Sequence, residues 1–294
     1  MDDENVYTAL SEADTDARWA YGTGFDDPMA GVDPTVPDGV DAADLAVYCQ
    51  MLGDDALILA QRLIEWTANA PELEEEVALA NIALDLLGQA RWLLARAGQT
   101  EGAGRDEDAL AFLRAEHEFR NVRLVEAPNG DFAETIVRLL AFATWRLALF
   151  ERLTGSRDPV LAAIAVNGVK ELTYHRDYAA QWTVRLGDGT DFSHTRMEAG
   201  LAAVEPLVEE LFAAHDVERR LAADGVAVDP SGLRPGFDAV RDEVLAAATL
   251  ARPEVAGLAG VSGLTGRDGV HTEEMGRLLA EMQCVARAYP GATW

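Results

Sequence analysis

Residues 72–97 constrain the fold more than any other stretch. Val77, Ala80, Leu84 and Leu87 recur at helical spacing and form one apolar stripe, and Leu79, Ile82, Leu86 and Leu93 form a second. A helix apolar over most of its circumference belongs inside a bundle rather than on its surface. A thin polar line, Asn81, Asp85 and Gln89 at i, i+4 and i+8, shares one face of the same helix. Pro71 marks its start and Gly98 its end, and Glu74, Glu75 and Glu76 sit in the first turn, where the helix dipole favours acids.

Similar patterns predict helices over 42–68, 106–121, 131–153, 159–186, 192–214, 234–250 and 272–288. Asp131 is placed to cap one of them, and Asp158-Pro159 reads as the cap and first residue of another. No sustained strand alternation is present, so the expected fold is all-α, with long antiparallel helices joined by short loops in a single domain over 41–294. Residues 1–40 read as a partly disordered tail. They hold ten acids against one base, Arg18, together with Pro28, Pro34 and Pro37. Trp19, Tyr21 and Phe25 are the tail's candidates for docking on the body.

The chain has 294 residues, of which 49% are hydrophobic, enough for a large core. Its formal charge of -27 repels phosphate backbones and anionic lipid, which argues against nucleic-acid and membrane-surface partners. Lys170 is the single lysine among 24 basic residues. A GC-rich genome explains arginine in place of lysine but not the acid excess. A salt-rich cytoplasm explains both, because the Debye length is about 3 Å at molar salt. Cys49 and Cys284 have no metal-ligand or redox spacing, and no secretory or transmembrane stretch is evident, so a cytoplasmic protein is expected.

Inward carboxylates on long helices suggest a ferritin-like di-iron bundle, which takes one Glu from each of two helices and Glu-x-x-His from the other two. No Glu-x-x-His exists: three residues before the five histidines stand Arg114, Leu172, Asp191, Phe212 and Asp268. Asp85-x-x-Gly88 and Glu171-x-x-Tyr174 occupy the expected helices, so Gly88 and Tyr174 mark the places of absent histidine ligands. The other two long helices offer Gln61 and Glu65, and Glu134 and Arg138. Lys170 is then expected to neutralise buried acids that a metal pair would otherwise neutralise, and Lys170→Ala to cost about 3–5 kcal/mol. Glu65, Asp85, Lys170, Glu171 and His175 are expected to form a structural polar cluster; a solvated or interface face and a working metal site are the alternatives.

Several strings resemble the family of the non-catalytic, ferritin-like component of phenylacetyl-CoA epoxidase. They are Leu52-Gly53-Asp54-Asp55 with Gln61-Arg62, Ala70-Pro71-Glu72-Leu73-Glu74-Glu75, and the run from Leu79 through Leu84-Asp85-Leu86-Leu87-Gly88-Gln89-Ala90-Arg91. Further matches are Val125-Glu126-Ala127-Pro128-Asn129-Gly130-Asp131, Lys170-Glu171-x-x-Tyr174-His175, Arg185-Leu186-Gly187-Asp188-Gly189, His271-Thr272-Glu273 and Leu279-Ala280-Glu281-Met282-Gln283. The likeness covers roughly 45–294. It implies a ferritin-like antiparallel bundle with extra C-terminal helices, with no metal and no catalytic residue of its own. It also implies a role beside the catalytic component of the same complex, which holds di-iron, with further subunits and a reductase, in ring 1,2-epoxidation of phenylacetyl-CoA. An oxygenase active alone with altered ligands, and a ferritin-like storage protein, are the competing expectations. Gly257, Gly260, Gly263, Gly266 and Gly269, with Arg267-Asp268 between the last two, read as a mobile connector or as a flexible loop near CoA phosphates or a subunit interface.

Overall fold

The computed structural model describes residues 29–255, 257, 263–290 and 292. Every regular element among them is helical. Four long helices form the frame: α1 (Ala42–Ile64), α2 (Leu73–Glu101), then, after short α3 (Glu107–Phe112) and α4 (Arg123–Glu126), α5 (Phe132–Leu153) and α6 (Pro159–Gly187). α7 (Asp191–Val208), α8 (Asp216–Ala223), α9 (Arg234–Ala247), α10 (Glu273–Met282) and α11 (Cys284–Ala288) complete the order. α1 packs along α2 and α5 along α6, while α2 meets α6 and α7 rests on α5. Short connections return α2 beside α1 and α6 beside α5, so the pairs are antiparallel hairpins.

Local chemistry sets the helix ends. Asp131 accepts from Glu134 N at 2.9 Å and Asp158 from Leu161 N at 2.8 Å, the two caps expected from sequence. α2 runs past Gly98 and ends at Gly102, whose φ of 72° suits a left-handed terminus. Gly98 instead permits a close approach: a Cβ there would stand 2.1 Å from the Arg105 carbonyl oxygen. The helix expected over 106–121 breaks after Phe112, because Arg114 turns back to bond Asp54 and the chain must follow it.

The core is one apolar mass centred on α1 and α5, with Leu45, Leu52, Leu59, Phe142, Trp145 and Phe150 fully buried. Only one of α2's two stripes contributes. Leu79, Ile82, Leu86 and Leu93 are buried, but Leu73, Val77, Leu84 and Leu87 face outward. The expectation that α2 lies wholly inside the bundle is therefore corrected: a neighbour covers one side only. By length and composition α2 could cross a membrane, yet its packing against α1 and α6 is that of a bundle helix.

Residues 29–40 are not a free tail. Met29, Val32, Val36 and Val40 pack on the core, and Arg96 donates to the Pro34 carbonyl at 2.5 Å. Trp19, Tyr21 and Phe25 lie outside the described residues.

Candidate functional site

The centre of the frame holds a cation from α5. Arg146 is fully buried, between Phe142 and Phe150 one turn to either side, with its guanidinium carbon 5.5 and 4.5 Å from their ring centroids. Its Nε donates to Gln89 Oε1 at 3.0 Å and one Nη donates to the Leu52 carbonyl at 3.1 Å. Gln89 Nε2 in turn donates to Glu171 Oε2 at 2.8 Å. One relay thus joins α5, α1, α2 and α6. Burial pulls the Arg146 pKa down to about 10, with Asp55 pulling the other way, so the group stays cationic at neutral pH. Burial also raises the Glu171 pKa, and the Gln89 bond offsets part of that rise.

Two further contacts extend the α2–α6 seam. His175 Nε2 lies 3.0 Å from Asp85 Oδ2, the ring 1% and the carboxylate 39% exposed. Nearer the start of α2, Glu75 Oε2 accepts from Tyr178 Oη at 3.0 Å and Trp182 Nε1 at 3.2 Å. Gly168 lets α6 approach α5: a Cβ there would stand 2.7 Å from the Phe150 ring. A recess of about 90 Å³ opens beside Glu171, bounded by Gln89, Trp92, Asn167 and Gly168.

The expected site residues are partly brought together. Asp85, Glu171 and His175 share the α2–α6 seam. Lys170 does not join them. It is exposed, and makes no ion pair among the described residues. The helical phase explains this: the buried line of α6 is Leu161, Ala165, Gly168, Leu172, His175 and Ala179, so Lys170 falls on the solvent line with Val166 and Tyr174. The cation at the centre of the frame is Arg146, one of several buried arginines, which sequence reasoning missed because one arginine among many carries no mark. Gly88 and Tyr174 also face outward, with open space where a Gly88 side chain would stand. The inward positions are Gln89 and His175, at i+4 from Asp85 and Glu171. Glu65 belongs to a separate cluster, 3.0 Å from Arg62 Nη1 and accepting from Asn129 Nδ2 at 3.0 Å.

A second constellation lies on α1. Asp54 and Asp55, both fully buried, each hold an arginine from a distant segment. Asp54 takes Arg114 in a two-pronged pair and accepts from Arg120 N at 2.8 Å. Asp55 takes both Nη atoms of Arg267 at 3.0 and 2.8 Å and accepts from Val122 N at 2.9 Å. Next to them Glu126 Oε2 meets His271 Nδ1 at 2.7 Å, with His271 Nε2 3.1 Å from the Phe119 carbonyl. Both ring nitrogens thus face acceptors. Burial opposes the charged ring, but the Glu126 bond and charge outweigh it, and the His271 pKa is raised. Two adjacent acids inside an apolar helix were the available signal for this cluster.

These contacts correct the reading of the glycine-rich stretch for its described part. Arg267 is buried in its pair with Asp55 and is not free for a phosphate. Gly266 and Gly269 sit tight against the body, where a Cβ would stand 2.0 Å from the Asn121 carbonyl oxygen and 2.2 Å from that of His117. Gly260 lies outside the described residues.

A di-iron pair does not fit this centre. A guanidinium occupies its heart, bonded to Gln89 and the Leu52 carbonyl, and metal cations placed beside it would be repelled. Among the described residues no three His, Cys, Asp or Glu side chains converge as metal ligands. The profile of the family described as phenylacetic acid catabolic protein matches residues 33–294. The chain belongs to that family. It shares 47% identity over 251 residues with the C component of the 1,2-phenylacetyl-CoA epoxidase of Escherichia coli (strain K12), covering 85% of this chain and 99% of the relative. The family assignment makes the bundle ferritin-like. The match starts at residue 33, within the 29–40 stretch that packs on the core.

Proposed function

We propose that this chain is a structural, non-catalytic subunit of a phenylacetyl-CoA epoxidase. It acts in the cytoplasm beside a catalytic partner that carries di-iron, with a reductase supplying electrons. The observation that carries this reading is Arg146. A fixed protein cation, bonded to Gln89 and through it to Glu171, fills the middle of the helical frame. A centre neutralised from within needs no metal to hold its helices in register. Asp85, His175 and Glu171 then serve as seam contacts, the structural remnant of a carboxylate-lined bundle. The recess beside Glu171, about 90 Å³, is small against the roughly 300–1,000 Å³ of small-molecule sites, which argues against turnover at this centre.

Metal analysis after iron loading tests the reading. The isolated chain is expected to retain no stoichiometric iron, while the co-purified assembly carries it on the partner. A stable iron pair with oxygenase turnover in the isolated chain would overturn the proposal. The acid excess fits a salt-rich cytoplasm, so the melting temperature should rise as potassium chloride is raised from about 0.1 M toward about 2 M.

A further inference from the structure

α1, α2, α3 and the α10–α11 segment leave a trough on their outer side that nothing among the described residues fills. It consists of three adjoining hollows of about 190, 470 and 620 Å³, with Phe112 shared by all three. Of the thirteen large apolar side chains exposed among the described residues, six line it: Ile64, Leu84, Leu87, Leu113, Val285 and Tyr289. Leu84 and Leu87 are 59% and 46% exposed. A contiguous apolar face of this kind, bounded by charge, marks an association surface.

Shape and charge narrow the occupant. Leu57, Ala60, Gln61 and Ile64 stand at i, i+3, i+4 and i+7 on α1, so they present one ridge. Leu84, Leu87 and Gly88 on α2 form the facing ridge. The part of the trough between antiparallel α1 and α2 accepts a third helix by seating its ridge in the groove. Ala60 and Gly88 keep the two ridges low where they stand, and Ala83 is small between them, so a backbone can come close. The rim is acidic, carrying Asp106, Glu107 and Asp108, and the nearby Arg91 is tied to Glu107 at 3.4 Å. A second copy seated rim to rim would press the Asp106, Glu107 and Asp108 carboxylates against like carboxylates at contact distance, where salt screens least.

We infer that this trough is the docking surface for an amphipathic helix of the di-iron partner, with an apolar stripe flanked by Lys or Arg. The inference rests on the subunit reading above. It adds which face is used and what chemistry meets it. Ile64, Leu84 and Leu87 supply the buried centre, and the Asp106–Asp108 rim supplies the polar border that selects a basic flank.

The test is co-expression of the full chain with the di-iron partner encoded in the same genome, followed by size-exclusion chromatography with light scattering. Wild type and a Phe192→Glu control on α7, outside the trough, should co-elute with the partner. Leu84→Glu/Leu87→Glu should bind at least about tenfold more weakly. Both leucines are exposed, so circular dichroism should show unchanged helicity. Hydrogen exchange on the wild-type assembly should show new protection over 57–64 and 84–91. Co-elution of the double variant equal to wild type, or protection elsewhere only, would overturn the assigned face and leave the subunit reading standing. A wild-type chain that never co-elutes would overturn the subunit reading and this inference with it. A homodimer of the isolated chain that the double variant splits would make the occupant a second copy and overturn the partner helix.

Discussion

Arg146 Nε donates to Gln89 Oε1 at 3.0 Å in the middle of the helical frame. This bond fixes the amide's orientation, so that Gln89 Nε2 points at Glu171 rather than at Arg146. A buried amide held in this way carries charge compensation from α5 to α6, without a direct ion pair between them.

Removing the cation should be costly. Arg146→Ala strands the Gln89 oxygen, worth about 1–3 kcal/mol, and opens a cavity between Phe142 and Phe150. The unfolding free energy by urea titration should drop by about 3 kcal/mol. Arg146→Lys should recover little, because a point ammonium does not reproduce the guanidinium fork that reaches Gln89 and Leu52 together.

Lys170→Ala should be close to neutral. The side chain is exposed and makes no ion pair among the described residues, so the change in stability should fall within about 0.5 kcal/mol. A loss of about 3–5 kcal/mol, as expected for a buried pair, would contradict its placement on the solvent line of α6.

The His271–Glu126 contact makes stability depend on pH. The folded-state pKa of His271 is raised, so its contribution is complete below the unfolded value of about 6.5 and is lost as pH rises through the folded value. The groups facing it are Glu126, the Phe119 carbonyl and, at longer range, Asp54. Urea titrations from about pH 6 to about pH 9 should show stability falling in this window. His271→Gln should flatten that slope.

Gly269→Ala should loosen the segment that delivers Arg267. The glycine has φ 79°, and a Cβ would press on the His117 carbonyl at 2.2 Å. The left-handed backbone costs about 1–2 kcal/mol for other residues, and the overlap adds about 1–3 kcal/mol. A lower urea midpoint, with faster hydrogen exchange over 263–272, would report it.

Much of the frame was legible in the sequence because it depends on local rules. The Asp131 and Asp158 caps, the Pro159 start and the long apolar periodicities place α1, α2, α5 and α6 within a few residues. Long-range partners carry no local mark. The helix expected over 106–121 stops early because Arg114 is claimed by Asp54 on another helix. Which of α2's two stripes is covered depends on where α1 and α6 sit, and both stripes have the same period.

The amino-acid pattern by itself determined an all-α bundle, its long hairpins and the absence of a Glu-x-x-His pair, since spacing along one helix settles each of these. It also placed Asp85, Glu171 and His175 on the helices that form one seam. Only the tertiary structure decided that Arg146, not Lys170, is the cation at the centre of the frame, and that Gln89 and His175, not Gly88 and Tyr174, point inward. A residue's face follows from helix phase relative to its neighbours. That phase is set by close approaches such as Gly168 on Phe150, which no single helix records.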